Sequence, residues 1–312
     1  MRSIGVGVYG DVEGVGKNLG KLGTSSDITF YNYKKDEDAV FFLEPTKYPE
    51  KITPLLYCIN LTDYALVFVD EIRKELGETL LALDMMGVKK GAFVIGEYVD
   101  VEQLKNIVSN TSMKDFDIRE KDFIKIREDM MALPQDVAGE TDLSYTSVPI
   151  DHFFTVKSVG LVVLGRVKKG IVKVHDNLRL YPTEKTIMVK SIQIHDRDYT
   201  EAPTFSRVGV ALKGVAPEEL ERGMVLSNGD LKVSTEFTLN MKWNPYIDKE
   251  VGVGEDYQIN IGLQTISCKV MGKEGNKITL KLIKSVVYEL GDRAVLLDGS
   301  AKIRILGFSE LK

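Results

Sequence analysis

A glycine-rich loop near the start of the chain has the residue types that can hold a phosphate. It reads Gly10-Asp11-Val12-Glu13-Gly14-Val15-Gly16-Lys17-Asn18 and follows a short apolar run. In a loop of the form G-x-x-x-x-G-K-[S/T], backbone amides surround the phosphate, the lysine neutralises it and the hydroxyl group binds magnesium. Here five residues, instead of four, separate the two outer glycines, and an asparagine replaces the hydroxyl residue. The pattern fits a degenerate nucleotide site or a glycine-rich turn without a ligand; the candidate nucleotide-binding residues are Gly10, Gly16, Lys17 and Asn18.

Other kinds of chemistry find little support in the sequence. No H-E-x-x-H or C-x-x-C motif occurs, and no spacing suggests a Ser-His-Asp or Cys-His group. The two cysteines, Cys58 and Cys268, fall in separate predicted domains, which predicts free thiols in a reducing, cytoplasmic compartment. The three histidines are too dispersed for a zinc site. We therefore expect no catalytic residue and no metal site.

Charge is distributed unevenly along the chain. The 312 residues carry a formal net charge of −5, with 44% hydrophobic and 28% charged residues. Residues 1–146 hold 17 basic and 26 acidic residues, whereas residues 147–230 and residues 231–312 each hold 12 basic and 10 acidic residues. An acidic surface is poor at binding a phosphate backbone, so if the protein contacts RNA, the last two domains must do it. Alternatively, the charges only maintain solubility. No apolar run is long enough to cross a membrane.

The first 127 residues alternate between strand and helix patterns. The predicted strands are residues 3–9, 28–33, 39–43, 64–69 and 92–95, and the predicted helices are residues 49–63, 71–86 and 101–108. The clearest helix, residues 71–86, has an apolar stripe that includes Leu76 and Leu80, and Gly87 is expected to end it. Strands that alternate with helices predict a mainly parallel sheet covered on both faces.

The pattern changes after residue 148. Short strands follow one another with glycine or asparagine at the turns, which favours closed β-barrels. A further change near Leu231 marks a second barrel. We therefore predict an α/β domain at residues 1–130, a linker at residues 131–147, and barrels at residues 148–230 and 231–312.

The first barrel region carries the most specific motifs. Gly160, Gly165-Arg166 and Gly170 fall in a G-x-V-V-x-G-R-V-x-x-G pattern, and residues 207–214 and 221–226 continue it. This region resembles the second domain of the translational GTPases that carry aminoacyl-tRNA, namely elongation factor Tu and the selenocysteine-specific elongation factor. The end of the chain, residues 299–308, is closer to the selenocysteine-specific factor. The resemblance implies a fold of class α/β plus all-β: a degenerate P-loop GTPase-like domain followed by two β-barrels.

Against that family, the residues of GTP chemistry are missing. No room exists for the long switch segment, since the first helix is expected to end near Gly23 and the next strand to begin near Ile28. The family's D-x-P-G-H becomes Glu44-Pro45-Thr46-Lys47-Tyr48, and its guanine-reading N-K-x-D becomes Gly96-Glu97-Tyr98-Val99. GTP hydrolysis needs positioning, metal and water together. We therefore expect no GTPase activity and no GTP or magnesium cofactor.

The resemblance also implies a site for the end of a tRNA. A glutamate and an arginine near the family's E-R-G turn match Glu219 and Arg222, and the amino-acid pocket matches Asp151 and Phe154. A threonine of that pocket becomes Leu164. Each residue also has an ordinary role, in the core, in a local ion pair or as a surface acid.

Three functions remain open on the sequence. The first is a pseudo-GTPase related to translation that binds tRNA or another RNA without GTP hydrolysis. The second is an interaction module for a ribosomal or other translation protein, with the acidic first domain as docking surface. The third is a residual nucleotide binder that uses Lys17 and the glycine-rich loop.

Overall fold

The computed structural model describes residues 3–35, 38–133, 140–247 and 250–312 of the chain. Its contacts group into two compact units. The α/β unit comprises Met1–Gly139, Asn244–Ile247 and Leu297–Gly307, and the barrel unit comprises Glu140–Trp243, Asp248–Leu296 and Phe308–Lys312. The predicted limits of three domains stay a prediction, and residues 134–139 of the predicted linker lie outside the described residues.

The α/β unit contains a seven-stranded sheet with helices packed against it. The strands are β1 (Ser3–Gly10), β2 (Lys21–Ser25), β3 (Thr29–Lys35), β4 (Asp38–Glu44), β5 (Tyr64–Val69), β6 (Gly91–Ile95) and β7 (Asp117–Glu120). The helices are α1 (Val15–Leu19), α2 (Thr53–Asn60), α3 (Lys74–Met85), α4 (Val101–Val108) and α5 (Phe123–Met131). The sheet order is β2-β3-β4-β1-β5-β6-β7, in which β4, β1, β5, β6 and β7 are parallel while β3 and β2 continue the sheet antiparallel.

Both faces of this sheet are buried, which explains its continuous apolar strands. On one face, Val15 and Leu19 of α1 and Ile126 and Met130 of α5 join a core with alternate strand residues. The residues between them, such as Phe41, are also buried. Helices α2 and α3 pack against each other and contact β4 and β1. This doubly covered, mainly parallel sheet confirms the predicted α/β class.

The first helix differs from its prediction. It ends at Leu19, well before Gly23, and the chain continues as the edge strand β2 beside β3. A Cβ atom on Gly20 would lie 2.9 Å from the backbone of Asn32, so glycine permits the close approach of the two strands. Periodicity alone missed this strand because only five residues form it and none is fully buried.

The end of α3 follows the prediction. Gly87 adopts a left-handed conformation with φ 73°. Its amide donates to the carbonyl of Asp84, and the amide of Val88 donates to the carbonyl of Leu83 at 3.0 Å. These two bonds form a Schellman motif, in which glycine is favoured because it has no Cβ penalty.

The first barrel lies within the barrel unit. Its strands are β8 (Ser147–Val156), β9 (Gly160–Arg166), β10 (Ile171–Lys173), β11 (Asn177–Tyr181), β12 (Lys185–Ile194), β13 (Arg197–Tyr199), β14 (Glu201–Pro203), β15 (Arg207–Lys213) and β16 (Val225–Ser227). The main sheet has the order β11-β16-β8-β9-β15-β12-β13, and β11 also pairs with β12. That additional pairing closes the ring around a core that includes Val148, Val163 and Val210.

A seven-stranded sheet follows and forms the half-barrel that we call the second barrel. Its strands are β17 (Lys232–Asn240), β18 (Lys242–Trp243), β19 (Asp256–Ile261), β20 (Gln264–Glu274), β21 (Lys277–Tyr288), β22 (Arg293–Leu297) and β23 (Ile305–Glu310). Their order is β17-β21-β20-β19-β22-β23-β18. The predicted fold class, a GTPase-like α/β domain followed by two barrels, is thereby confirmed.

The two barrels meet through a polar network inside the barrel unit. The Glu289 carboxylate accepts hydrogen bonds from Lys169 at 2.8 Å, from the Tyr145 hydroxyl at 3.0 Å and from the Ser147 hydroxyl at 3.2 Å. Burial by itself would raise the pKa of Glu289, but Lys168, Lys169 and the Tyr145 hydroxyl outweigh it and hold the pKa below its ordinary value. The carboxylate is therefore charged and satisfied.

Candidate functional site

The glycine-rich loop leaves β1 at Gly10 and enters the short helix α1. Gly10 and Gly14 have φ values of 84° and 73°, and a Cβ atom on Gly10 would lie 2.1 Å from the Phe68 carbonyl oxygen. The Asp11 carboxylate accepts the amide of Asp70 at 2.8 Å. The Asp11 side chain therefore links the loop to the residue that follows β5.

A glutamate from a neighbouring strand contacts this loop. The amide of Gly16 donates a 2.6 Å hydrogen bond to Oε1 of Glu44, and the Tyr31 hydroxyl donates to Oε2 at 3.1 Å. The parallel pairing of β1 with β4 brings the end of β4 beside the loop. Glu44 is only 8% exposed. Burial raises its pKa, although the Gly16 amide, the Tyr31 hydroxyl and the Lys17 charge act in the opposite direction.

Of the remaining two candidate nucleotide-binding residues, Asn18 binds within the loop and Lys17 lines a surface depression. Asn18 donates its side-chain amide to the Gly14 carbonyl at 3.0 Å. Lys17 is exposed and lines an open depression of about 680 Å³ together with Asn18, Lys121 and Arg127. Lys121 is paired with Asp70 at 2.7 Å. The structure thus places Gly16 against Glu44, whereas Lys17 lies in a depression whose charged lining is three cations and the Asp122 carboxylate, which we call the basic depression.

Residues 44–48, which are expected from the sequence to correspond to the family's D-x-P-G-H, contact α3 through Tyr48. The Tyr48 hydroxyl donates to the Glu75 carbonyl at 2.9 Å and accepts from the Thr79 hydroxyl at 3.3 Å. In residues 96–99, which are expected from the sequence to correspond to N-K-x-D, Tyr98 is 94% exposed. The amide of Gly96 bonds to the Val69 carbonyl, so this turn continues directly from β6.

In the first barrel, Asp151 is buried within an internal ion-pair cluster. Asp151 is 1% exposed, and its carboxylate accepts two hydrogen bonds from Arg207 and lies 2.7 Å from Nδ1 of His152. Burial by itself would raise the pKa of Asp151, yet the Arg207 charge and the His152 contact outweigh it and lower the pKa. Because the Asp151 carboxylate is buried and already paired, it holds Arg207 and His152 in place and is not exposed to a ligand.

Of the candidate residues for binding the end of a tRNA, Arg222 is the one that contacts Asp151. Its Nε donates to the Asp151 main-chain carbonyl at 2.9 Å. Phe154 follows on the same strand and is 46% exposed. Leu164 lies opposite His152 in the β8–β9 pairing, so an apolar side chain flanks this cluster.

Glu219 is held separately, in the turn Pro217–Glu219. It accepts hydrogen bonds from Lys185 at 2.6 and 2.8 Å and from the Ala216 amide at 2.9 Å. Lys185 and that amide lower its pKa, so it is an exposed, charged acceptor. Among the predicted residues for the end of a tRNA, Asp151 and Arg222 are therefore in contact, whereas Glu219 is paired with Lys185.

Sequence reasoning missed Arg207, His152 and Lys185 as partners of these residues. The β8–β9 register shifts between Ile150 and His152, so Asp151 occupies a bulge. A bulge redirects a side chain and cannot be read from strand alternation. Arg207, the first residue of the R-V-G-V-A-L-K-G motif, was the one signal in the sequence for this ion pair, because a buried carboxylate requires a cation.

Within the described parts of the chain, no helix is long and apolar enough to cross a membrane. The same residues contain no group of three or more His, Cys, Asp or Glu side chains that could hold a metal ion.

Comparison with known proteins agrees with this architecture. The family profile of elongation factor Tu domain 2 matches residues 160–227. The selenocysteine-specific elongation factor of Methanocaldococcus jannaschii is 28% identical over 345 residues, covering 95% of this chain and 72% of that protein. The crystal structure of translation elongation factor SelB from Methanococcus maripaludis, in complex with the GTP analogue GppNHp, superposes with a TM-score of 0.83. That comparison covers 100% of this chain and 79% of SelB at 23% identity.

These similarities establish the resemblance to translational GTPases, and the SelB structure establishes the shared fold. A nearer relative is the uncharacterized protein MJ0325 of Methanocaldococcus jannaschii, which is 59% identical over 313 residues and covers 100% of both chains. Identity at this level over the whole length leaves one conclusion: the chain belongs to the same protein family as MJ0325.

Proposed function

We propose that the protein is a translation-factor-like pseudo-GTPase, which binds the acceptor end of a tRNA or another RNA through its first barrel and does not hydrolyse GTP. Its similarity to elongation factors supports a role in translation.

The observation that carries the proposal is the contact between Gly16 and Glu44. In a working loop the backbone amides hold phosphate oxygens. Here a carboxylate of the chain itself accepts the Gly16 amide at 2.6 Å. A phosphate at this place would have to displace the buried Glu44 carboxyl group from the Gly16 amide, which is unfavourable.

The position that would hold magnesium also fits poorly. Asn18 has no hydroxyl group, and its side-chain amide donates to the Gly14 carbonyl. Magnesium demands oxygen ligands in near-octahedral geometry. The position thus lacks the hydroxyl ligand of a working loop, and the Asn18 side chain is held by the loop itself, which supports a protein without a nucleotide switch.

The first barrel offers groups that suit the end of an RNA strand. The half-exposed ring of Phe154 presents a face on which a base can stack. The Glu219 carboxylate can accept hydrogen bonds from a base or a ribose hydroxyl. Arg222 is oriented by its bond to the Asp151 carbonyl, while the Asp151–Arg207 pair holds this part of β8 in place.

Binding to RNA is tested with fluorescence anisotropy at low salt. The probes are aminoacylated tRNA, deacylated tRNA and an RNA duplex without a single-stranded end. We expect both tRNAs to bind more tightly than the duplex, because the exposed ring needs an unpaired base. Failure of both tRNAs to bind would exclude the RNA part of the proposal.

GTP turnover is measured on the same preparation. We expect none above background. Turnover that disappears in Lys17→Ala would contradict the pseudo-GTPase assignment and leave the RNA result unaffected.

One observation favours a second candidate function, a metal-independent phosphate site in the basic depression. Lys17 forms no ion pair with any described residue, and the Nε of Arg127 is buried without a hydrogen-bond partner in the described structure. The Arg127 guanidinium stacks over the Tyr33 ring at 5.3 Å. Such cations attract phosphate groups.

Calorimetry with GTP, GDP and ATP, with and without magnesium, separates the candidates. Binding without magnesium that Lys17→Ala and Arg127→Ala both abolish would favour the depression. Lys105→Ala is the control, since Lys105 is an exposed lysine of the same unit paired with Glu102. Absence of heat with all three nucleotides excludes this candidate.

A further inference from the structure

A single arginine joins three parts of the α/β unit. Arg304 lies in Leu297–Gly307, the segment of this unit that connects β22 and β23. Its guanidinium forms two hydrogen bonds with the Glu78 carboxylate of α3, one of them at 3.0 Å, and Nη1 donates to the Pro49 carbonyl at 2.9 Å. It also stacks over the Tyr48 ring at 5.7 Å. We call Arg304, Glu78, Tyr48 and Pro49 the Arg304 clasp.

The clasp is shielded from water. The side chains of Arg304 and Glu78 are only 15% and 16% exposed. Hydrogen bonding to Glu78 raises the pKa of Arg304, against the effect of burial. A bidentate arginine–carboxylate pair has a fixed geometry, so each partner orients the other. Removing one partner leaves an uncompensated charge in a nearly buried position.

Tyr48 connects the clasp to the segment that follows β4. Its hydroxyl bonds to the Glu75 carbonyl and accepts from Thr79, while Arg304 covers its ring. Burial raises the pKa of Tyr48 well above its ordinary value, so the hydroxyl stays neutral and keeps its donor. Residues 45–49 are therefore held by α3 on one side and by Arg304 on the other.

We infer that the Arg304 clasp fixes residues 45–49 and 297–307 in one conformation by means of the chain's own side chains, without a ligand. Residues 44–48 are expected from the sequence to correspond to the family's D-x-P-G-H, and the clasp includes Tyr48 of this segment. The inference rests on the proposed function only in the claim that no nucleotide takes part. The clasp itself does not depend on RNA binding.

Hydrogen exchange with mass spectrometry on the full chain tests the clasp. In Arg304→Ala, amide exchange in peptides from residues 45–52 and residues 297–307 should rise about tenfold or more, because both segments lose a shared anchor. Peptides from residues 160–227 should be unchanged. Arg304→Lys should give a smaller rise, since lysine keeps the charge but loses the planar fork.

Arg73→Ala is the matched control. Arg73 belongs to the same unit and pairs with Glu71 at 2.8 Å, but both side chains are more than half exposed. We expect no change in either segment. Unchanged exchange in either segment of folded Arg304→Ala overturns the inference.

Two further measurements keep the test decisive. If Arg304→Ala does not fold, Glu78→Gln must raise exchange in both segments, and the reversed pair Arg304→Glu with Glu78→Arg must restore part of the protection. Failure of Glu78→Gln to do so also overturns the clasp. Addition of GTP and magnesium should leave exchange in residues 45–52 unchanged, and protection by nucleotide would refute the ligand-free part alone.

Discussion

The amide of Gly16 and the carboxylate of Glu44 are joined by a buried hydrogen bond of 2.6 Å across 28 positions of sequence. One residue comes from a loop with the composition of a phosphate site, and the other ends the neighbouring parallel strand. The acceptor that contacts the Gly16 amide is therefore part of the protein.

Replacing Glu44 should destabilise the α/β unit. Glu44→Ala leaves the Gly16 amide and the Tyr31 hydroxyl without their acceptor, and we expect a loss of about 1–3 kcal/mol. Glu44→Gln should lose less, because its amide oxygen can still accept. Denaturant unfolding gives the values, with the exposed Glu50→Ala as control. Equal unfolding of Glu44→Ala and wild type would show that the contact is weak.

The pH dependence of the Glu44 contribution has a defined sign. Its pKa is raised in the folded protein, so its carboxyl group favours folding below the ordinary value of about 4.3. That contribution is lost as the pH rises through the folded-state pKa. Since Glu44→Gln stays neutral, its stability relative to wild type should increase from about pH 4 to pH 8. A constant difference over that range would argue against a raised pKa.

Asp151 should behave in the opposite way. Its pKa is lowered, so its contribution is complete above the ordinary value of about 3.9 and is lost as the pH falls through the folded-state pKa. At neutral pH, Asp151→Asn should cost about 3–5 kcal/mol, because Arg207 keeps a nearly buried charge. The difference from wild type should shrink in acid. Thermal unfolding between neutral and acidic pH measures it, and the exposed Asp198→Asn should show neither effect.

Arg222 should contribute to RNA binding if the first barrel holds an acceptor end. We expect Arg222→Ala to weaken tRNA affinity about tenfold, which corresponds to about 1.4 kcal/mol. Arg179→Ala is the matched control, because Arg179 lies on the same barrel and pairs with Asp230. Anisotropy titrations at two salt concentrations measure both variants. An equal loss in both would indicate general charge attraction and not a defined site.

Glu289 should stabilise the joint between the two barrels. Glu289→Gln removes the charge that Lys169 and Lys168 face, and we expect a loss of about 1–3 kcal/mol. The midpoint of thermal unfolding should fall, whereas the exposed Glu274→Gln should leave it unchanged. An unaltered midpoint in Glu289→Gln would mean that apolar contacts such as Tyr181 with Val287 hold the barrels together alone.

Local patterns determined much of the fold. The observed strand Tyr64–Val69 and helix Val101–Val108 coincide with their predictions, and Gly87 ends α3 as expected. These features depend on neighbouring residues, through side-chain periodicity and the conformational freedom of glycine. The order of strands and helices, with the barrel motifs, was sufficient to predict an α/β domain followed by two barrels.

Only the tertiary structure determined which partner each of these charged residues contacts. It set Glu44 against Gly16, placed Asp151 in a bulge against Arg207, and brought Arg304 to Glu78. Each of these contacts joins residues that are far apart in sequence, through strand pairing, a register shift or a connecting segment. A sequence gives the type of a charged residue, but burial and the nearest partner decide whether that residue binds a ligand or another part of the chain.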